Sequence, residues 1–284
     1  MLSGPFLSKD WMCATENYDE SDWVMIGLPY DGTCSNKPGT RFASQAMRTA
    51  SWGLEEYSPV ADKDFNDIKF FDAGDLEFSL GNREKSLDMI ENNIREILND
   101  GKKSFGIGGE HLVTLPQIKA YAQKYPDLTV IHFDAHCDLR EDYLGEKLSH
   151  ACVIRRVVEI VGKENLYQIG IRSGEIEEFR WQKENNTLLK DKINAEKIFK
   201  NLGNKPVFIT LDVDVLDPSI MAGTGTQEAG GMTFNELIEW LLLLKNNNVV
   251  GMDLVELSPD YDMSGVSTAT AAKLAREMLI YFGE

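Results

Sequence analysis

The amino-acid sequence predicts an α/β fold with three layers, α/β/α, and a mainly parallel central sheet. Short apolar runs rich in β-branched residues alternate with longer amphipathic stretches along the whole chain. Such alternation is typical of parallel strands joined by helices that lie on both faces of the sheet. No Pro- or Ser-rich linker and no internal repeat interrupts the alternation, so residues 1–284 are predicted to form a single domain.

The predicted strands are short apolar runs, and the predicted helices repeat apolar residues every three or four positions. The strands are predicted at Val24–Leu28, Ile68–Phe71, Ser104–Ile107, Leu128–Phe133, Leu166–Ile169, Val207–Leu211 and Val249–Leu254. The helices are predicted at Glu84–Asn99, Leu115–Lys124, Val153–Val161, Ile176–Glu184, Phe234–Leu244 and Ala269–Phe282. Because ligands of such sheets bind beyond the carboxyl ends of the strands, the residues that follow each strand are candidates for a functional site.

The charge and the cysteines restrict the class of protein. The chain carries 29 basic and 46 acidic residues, a formal net charge of −17, which repels nucleic acid and attracts metal ions or small cations. Cys13, Cys34, Cys137 and Cys152 are scattered and form no CxxC pair. That spacing argues against a disulfide framework or a structural zinc site, and it favours a reducing compartment, with cytoplasm as the predicted location.

Neither a membrane span nor a signal peptide is predicted. The longest purely aliphatic run, Leu241–Leu244, is far too short to cross a bilayer. The segment from Met1 to Cys13 contains Lys9 and Asp10 and lacks both a basic start and an apolar centre. The chain is therefore expected to act away from membranes.

Acidic and histidine side chains follow the predicted strands. Asp134, His136 and Asp138 occupy alternate positions just after Phe133, and alternate residues of extended backbone project to one side. A second strand ends in Asp212-Val-Asp214, and a Gly-Gly pair precedes His111. The predicted metal ligands are therefore His111, Asp134, His136, Asp138, Asp212 and Asp214.

The ligand count indicates two ions rather than one. Four carboxylates and two imidazoles exceed what a single ion needs, whereas two divalent ions that share carboxylates satisfy them. Oxygen-rich coordination with imidazole and no thiolate favours manganese, with iron or cobalt as alternatives. Of the other two histidines, His150 lies at a loop junction, and His132 falls inside a strand, where a packed core histidine is expected.

Taken in order, these segments resemble the ureohydrolase (arginase/agmatinase) family over nearly the whole chain. The matching segments are Gly27–Gly32, Pro38–Arg41, Gly108–His111, Ile131–Asp138, Ser149–His150, Leu211–Pro218 and Asp253–Glu256. Arginases usually carry small hydroxyl and amide residues after the His-Asp block, and this chain instead has Leu139-Arg140-Glu141, which resembles bacterial agmatinases.

The resemblance implies an arginase-like fold, two Mn²⁺ per subunit bound by the six predicted ligands, and a homo-oligomer, either a trimer or a hexamer. It assigns one set of ion ligands to His111, Asp134, Asp138 and Asp212. His136 and Asp214 complete the pair of ion sites. The implied activity is manganese-dependent hydrolysis of a small cationic guanidino compound to urea and an amine. The predicted substrate is agmatine, which would give putrescine and urea.

Two residues are predicted to be catalytic. A dinuclear centre lowers the pKa of a bridging water toward about 7. His150, with an ordinary pKa near ~6.5, suits the proton transfer that the departing amine needs, a role that the family also implies. Glu256 would pair with the guanidinium, as the family also implies. The alternative for His150 is a surface histidine in a polar loop. The alternative for Glu256 is a structural acid that caps the loop before Pro259.

The residues that meet the far end of the substrate are less constrained. Glu175 and Arg140 are predicted to bind substrate together with Glu256, whereas Glu177 and Glu178 are expected to be solvated at a helix start. The loop between Asp138 and His150 is a second acidic rim, with acids at Glu141, Asp142 and Glu146.

Arg140 and Arg172 could instead neutralise a substrate carboxylate. The segment 222–231 lacks prolines common in the family, which predicts a looser loop or one shaped for a different ligand. The alternatives to an agmatinase are therefore an arginase, a guanidinobutyrase or other guanidino-acid ureohydrolase, and a non-catalytic metal-binding relative. A phosphoester hydrolase would need a phosphate cradle, and a deacetylase of similar fold would use a single zinc and another histidine pattern.

Overall fold

The apolar runs of the sequence form strands that are buried on both faces of one sheet. The computed structural model describes residues 10–283, so residues 1–9 of the segment considered as a signal peptide lie outside the described residues. The strands are β1 Trp23–Gly27, β2 Tyr57–Ser58, β3 Lys63–Asp64, β4 Phe70–Asp75, β5 Lys103–Ile107, β6 Thr129–Phe133, β7 Leu166–Ile169, β8 Leu188–Leu189, β9 Pro206–Asp212 and β10 Asn248–Val255. Eight of them pair in parallel in the order β4-β1-β5-β10-β9-β6-β7-β8, and β2 and β3 form a separate antiparallel pair.

The connecting segments form helices that follow the amphipathic pattern. The helices are α1 Ala43–Ser51, α2 Arg83–Asn99, α3 Thr114–Lys124, α4 Val153–Val161, α5 Ile176–Asn185, α6 Lys192–Leu202, α7 Phe234–Leu242 and α8 Val266–Phe282. In α2, for example, Leu87, Ile90 and Ile94 are buried at three- and four-residue spacing. The Asn82 side chain accepts a hydrogen bond from the Lys85 amide and so satisfies one of the free donors at the start of this helix.

The sheet lies between two apolar cores. Trp23 and Met25 of β1 pack in one core with α1, α6, α7 and α8, while Val24 and Ile26 pack in the other with α2, α3 and α4. This alternation places helices on both faces of the sheet, which confirms the predicted three-layer α/β/α fold.

The differences from the predicted elements have local causes. The predicted strand Ile68–Phe71 begins later, as β4, because a 3-10 turn at Phe65–Asp67 ends on Ile68. The strands β2, β3 and β8 were not predicted, and each has only two residues. The helices α1 and α6 were not predicted; Met47 is the one large apolar residue of α1, and α6 buries Ala195, Phe199 and Leu202.

The sheet order places four strand ends side by side. The strands β5, β10, β9 and β6 are consecutive in the sheet, although the chain passes from β5 through α3 to β6. This crossover leaves room at the carboxyl edge, where parallel sheets bind ligands. Gly109 shows how closely the chain packs here: its φ is +84°, and a Cβ atom would lie 2.2 Å from the Leu28 carbonyl oxygen.

Two further predictions from the sequence concern disulfide bonds and membrane spans. The four cysteines are all free, as the scattered spacing predicted. Within residues 10–283, no helix has both the length and the apolar character that a membrane span requires.

Candidate active site

The first group of predicted ligands surrounds His111. Its Nδ1 atom lies 3.1 Å from Asp134 Oδ2, 3.3 Å from Asp138 Oδ2 and 3.4 Å from Asp212 Oδ2. These four residues come from the ends of three strands, β5, β6 and β9. Asp138 has a left-handed φ of 53°, which turns the chain sharply after β6. The spacing of the sequence and the sheet order together account for this convergence.

The second group of ligands adjoins the first. The Nδ1 atom of His136 lies 2.9 Å from Asp214 Oδ2 and 3.5 Å from Asp134 Oδ1. Asp134 therefore faces His111 through one oxygen and His136 through the other. The structure brings all six predicted ligands together, in two groups that share Asp134.

The buried atoms of both groups fit divalent cations. The Nδ1 atom of His111 and the Oδ2 atom of Asp214 are buried and make no hydrogen bond of good geometry. Burial raises the pKa of Asp138 to about 7, and it raises that of Asp212 well above the ordinary range. A cation between these groups would offset the cost of burying several negative charges together. Oxygen and imidazole donors without thiolate are the ligands of a hard or borderline ion such as Mn²⁺.

A line of hydrogen bonds fixes the ring of His111. Thr114 donates to Asp253 Oδ2 at 2.7 Å, which leaves its own oxygen to accept from the Thr210 hydroxyl at 3.2 Å. The Thr210 oxygen lies 2.9 Å from His111 Nε2 and accepts a hydrogen bond from the N–H at that atom. His111 Nδ1 is therefore left with its lone pair toward the carboxylates, as a metal ligand requires.

Replacement of Thr210 with Val is expected to weaken metal binding by about 10- to 100-fold, because the outer partner that orients a ligating histidine is lost. A competition titration of Mn²⁺ against a chelator measures this affinity. Thr129→Val is the matched control, since Thr129 is equally buried at the opposite end of β6 and its hydroxyl has no hydrogen-bond partner. Equal affinity in the two variants would contradict the role of Thr210.

His132 is buried in β6, as predicted, and it also contacts the site. Its Nε2 atom lies 2.8 Å from Asp134 Oδ2. Gln168 donates to both His132 Nδ1, at 3.0 Å, and the carbonyl of Cys137, at 3.0 Å. The proton of the neutral His132 ring is therefore on Nε2, and the ring orients Asp134.

A cavity of about 280 Å³ opens in front of the two ligand groups. The predicted catalytic residues, His150 and Glu256, both line it, and so do three of the ligands. Its described lining is Ser35, His136, Cys137, Asp138, Arg140, Tyr143, His150, Ala151, Ser173, Gly174, Glu178, Asp212, Thr226 and Glu256.

Glu256 follows β10 with a left-handed φ of 68°. Its Oε1 atom accepts a hydrogen bond of 2.7 Å from the backbone amide of His111. Burial, with a further contribution from Glu110, raises the pKa of Glu256 to about 8. A cationic group in the cavity would favour the ionised carboxylate.

His150 is held by the loop that follows β1. Its Nδ1 atom is 3.4 Å from Thr33 Oγ1, and its Nε2 atom is 3.3 Å from Ser35 Oγ. Burial lowers the pKa of His150 to about 4, well below the unperturbed value near ~6.5. The ring is therefore neutral at neutral pH and able to accept a proton.

The acids near the cavity differ from those predicted. Glu178 is buried and lines the cavity, so its prediction as a solvated residue is wrong. Its carboxylate accepts hydrogen bonds of 2.7 Å from the amides of Leu139 and Glu175. Glu177 is exposed, as predicted.

The predicted basic residues are already paired. Arg140 lies 3.0 Å from Glu175 and 4.0 Å from Glu178, and its guanidinium stacks over the Tyr143 ring at 4.8 Å. Glu175 is largely exposed and lies outside the described lining of the cavity. Arg172 donates to backbone carbonyls, including that of Asp214, so it is not placed to neutralise a substrate carboxylate.

The other acidic loop is solvated rather than lining the cavity. Glu141, Asp142 and Glu146 are exposed, Glu141 pairs with Arg156, and Glu146 pairs with Arg83. The acidic character predicted for the far end of the cavity therefore comes from Glu178.

The segment 222–231, predicted to be looser or shaped for a different ligand, makes several hydrogen bonds. Gln227 bonds back to the Ala222 carbonyl and accepts a hydrogen bond of 2.6 Å from Lys37. Asn36 donates to the carbonyl of Gly225 at 2.9 Å. Thr226 of the same segment lines the cavity.

Comparisons with known proteins agree with this geometry. Residues 21–281 match the model of the arginase family. An agmatinase of Bacillus anthracis is 49% identical over 280 residues, covering 97% of each chain. An agmatinase of Bacillus subtilis is 47% identical over 282 residues, covering 98% of this chain and 97% of the relative.

A solved structure shows the same similarity in three dimensions. The crystal structure of the agmatine ureohydrolase of Thermoplasma volcanium superposes with a TM-score of 0.87 at 31% identity. The match covers 98% of this chain and 95% of that chain. The similarity therefore includes the strands that carry the site.

Proposed function

We propose that this chain, which belongs to the arginase family, hydrolyses agmatine to putrescine and urea with two Mn²⁺ ions bound per subunit. The observation that carries the proposal is that the two ligand groups, which together hold the six metal-ligand candidates, adjoin a cavity lined by Glu256 and a neutral His150. The agmatinases that share nearly half of its residues support the choice of substrate.

The ions would be held by the two groups that share Asp134. The group around His111 includes Asp138 and Asp212, and the group around His136 includes Asp214. When bound, two such ions supply Lewis acidity and lower the pKa of a water placed between them.

The chain's own residues bind the substrate and move the proton. Glu256 presents a buried carboxylate that can pair with the guanidinium and orient its carbon toward the metal ligands. As the C–N bond breaks, the departing amine needs a proton. His150 lines the cavity and is the residue that would deliver this proton. Because burial keeps the His150 ring neutral, the ring can take a proton from the attacking water and then donate it to the leaving nitrogen.

The charges of the cavity favour agmatine over a guanidino acid. The ammonium of agmatine would approach the buried carboxylate of Glu178, which suits a cation. The carboxylate of arginine or guanidinobutyrate would meet Glu178, and the nearby Arg140 is already paired with Glu175.

A urea-release assay on Mn²⁺-loaded protein tests the substrate. We expect kcat/KM for agmatine to exceed that for arginine and guanidinobutyrate by at least about 100-fold, because the carboxylate of each of these would meet the buried carboxylate of Glu178. Urea from arginine alone would contradict agmatine as substrate. No urea from any of the three compounds with metal-loaded protein would favour a non-catalytic metal-binding relative.

We propose a single domain over residues 1–284 that works as a trimer or hexamer in the cytoplasm. Phe42, Leu80 and Met263 are large apolar residues with at least half of their surface exposed, and subunit contacts would cover such side chains.

A further inference from the structure

A line of hydrogen bonds reaches His150 from a buried acid that the reaction does not use directly. Glu110 is fully buried just after β5, and Thr33 lies in the loop after β1. Because β1 and β5 are neighbours in the sheet, these two loops meet although their residues are 77 positions apart in sequence. Thr33 in turn contacts His150.

The donors and acceptors along this line have one consistent direction. One oxygen of Glu110 accepts from the Thr33 backbone amide at 2.8 Å, and the other accepts from the Thr33 hydroxyl. Burial raises the pKa of Glu110 to about 7, whereas the two Thr33 donors that face its oxygens favour the ionised form. An ionised carboxylate can only accept, so the hydroxyl proton of Thr33 is committed to Glu110. The Thr33 oxygen is then an acceptor toward His150.

His150 supplies two donors to that oxygen. Its backbone amide donates at 3.1 Å, and its Nδ1 atom lies at 3.4 Å. With the Thr33 proton directed away, a favourable contact at Nδ1 requires the ring proton to be on Nδ1. The Nε2 atom then has a free lone pair, beside Ser35 Oγ at 3.3 Å, and both residues line the cavity.

We propose that Thr33 and Glu110 are positioning residues that fix His150 in the tautomer with Nδ1 protonated, so that Nε2 is the atom that takes up and delivers the proton. The arrangement matches the histidine–carboxylate pairs of other enzymes, in which an outer carboxylate fixes the tautomer and the inner nitrogen reacts. Here a threonine hydroxyl stands between the carboxylate and the ring. The kinetic consequence rests on the proposed function, whereas the tautomer itself does not.

Neutron diffraction from the Mn²⁺-loaded wild-type protein in D₂O tests the tautomer without any substrate. We expect deuterium on His150 Nδ1 and on the Thr33 oxygen toward Glu110. Deuterium on Nε2 alone would overturn the proposal, whatever substrate the enzyme takes. A failure to hydrolyse agmatine would overturn the proposed function and leave this result unchanged.

Glu110→Gln reverses the direction of the line. The amide of glutamine can donate to the Thr33 oxygen, which frees the Thr33 hydroxyl to donate to His150 Nδ1 and moves the ring proton to Nε2. We expect neutron diffraction to show this reversed tautomer and kcat to fall by about 10- to 100-fold. An unchanged tautomer and an unchanged kcat would overturn the role of Glu110.

Thr33→Val and Thr33→Ser separate positioning from packing. Valine removes the acceptor at nearly the same volume, so we expect kcat to fall by about 10- to 100-fold while KM stays within about threefold. Serine keeps the hydroxyl and is expected to restore most of kcat. Bound Mn²⁺ and the melting temperature are measured on each variant, and Thr129→Val is the control for a buried threonine far from the site. A serine variant as slow as the valine variant, or a valine variant as fast as wild type, would overturn the proposal.

Discussion

Replacement of Asp134 with Ala is expected to abolish metal loading and, with it, the release of urea. Asp134 is the carboxylate that the two ligand groups share, since its oxygens face His111 and His136 separately. It also accepts hydrogen bonds from His132 Nε2 at 2.8 Å and from the backbone amide of His136 at 2.6 Å. Its loss therefore removes a carboxylate from both ligand groups and leaves the imidazoles of His111, His132 and His136 without their common partner.

The size of this effect should exceed that of any substitution in the outer contacts. Changes in the residues that orient a metal ligand cost about 10- to 100-fold in affinity or activity, and loss of a shared ligand costs more. We therefore expect bound Mn²⁺, measured by atomic absorption after dialysis, to fall below detection. Activity should fall by more than about 100-fold.

Asp127→Ala is the matched control. Asp127 is exposed and precedes β6, whereas Asp134 follows the same strand. The two residues therefore lie at opposite ends of β6. The control should bind two Mn²⁺ per subunit and release urea at the wild-type rate. Full activity of Asp134→Ala would refute the site itself.

The metal ligands could be predicted from the sequence because they depend on short-range geometry. Asp134, His136 and Asp138 alternate after one strand, and Asp212 and Asp214 repeat this after another, so a period of two identifies them. Thr210 carries the same signal, since it lies two residues before Asp212, although its role had to be read from its contact with His111.

The residues that were missed depend on contacts between distant parts of the chain. Glu178 is in the first turn of α5, where an acid usually faces solvent and favours the positive end of the helix dipole. It is buried because the Leu139 amide, 39 positions away, donates to it. Locally, Glu178 differs from Glu177 in that its carboxylate caps the Glu175 amide, but this contact alone does not predict burial. Thr33 and Glu110 were missed for the same reason, since only the pairing of β1 with β5 brings them together.

The pKa of His150 shows a second limit of sequence reasoning. Its polar loop, with Ser149 before it, is compatible with an exposed ring and an ordinary pKa. In the folded chain, burial lowers that pKa to about 4, because the loop after β1 closes over the ring. The identity of the residue could be predicted, but its protonation state required the packing around it.

Replacement of Glu256 with Gln is expected to reduce kcat/KM for agmatine by about 100- to 3,000-fold while the metal centre stays intact. Glutamine has the same shape, and its carbonyl oxygen can still accept from the His111 amide, so the backbone at the first ligand is preserved. What is lost is the negative charge that faces the guanidinium inside a buried cavity. Removing one partner of a buried ion pair costs about 3–5 kcal/mol, which corresponds to this range at about 1.4 kcal/mol per factor of ten.

A comparison of Glu256→Gln with a second Glu→Gln variant separates the loss of the Glu256 charge from a loss of structure. Glu196→Gln on the exposed face of α6 is the matched control and should behave as wild type. The Glu256→Gln protein should bind Mn²⁺ as the control does, and its loss should appear in kcat/KM measured at low agmatine concentration. A Glu256→Gln protein that binds both ions and keeps kcat/KM within about tenfold of wild type would show that the guanidinium pairs elsewhere. Among the carboxylates that line the described cavity, Glu178 would then be the residue to replace, because Asp138 and Asp212 belong to the metal groups.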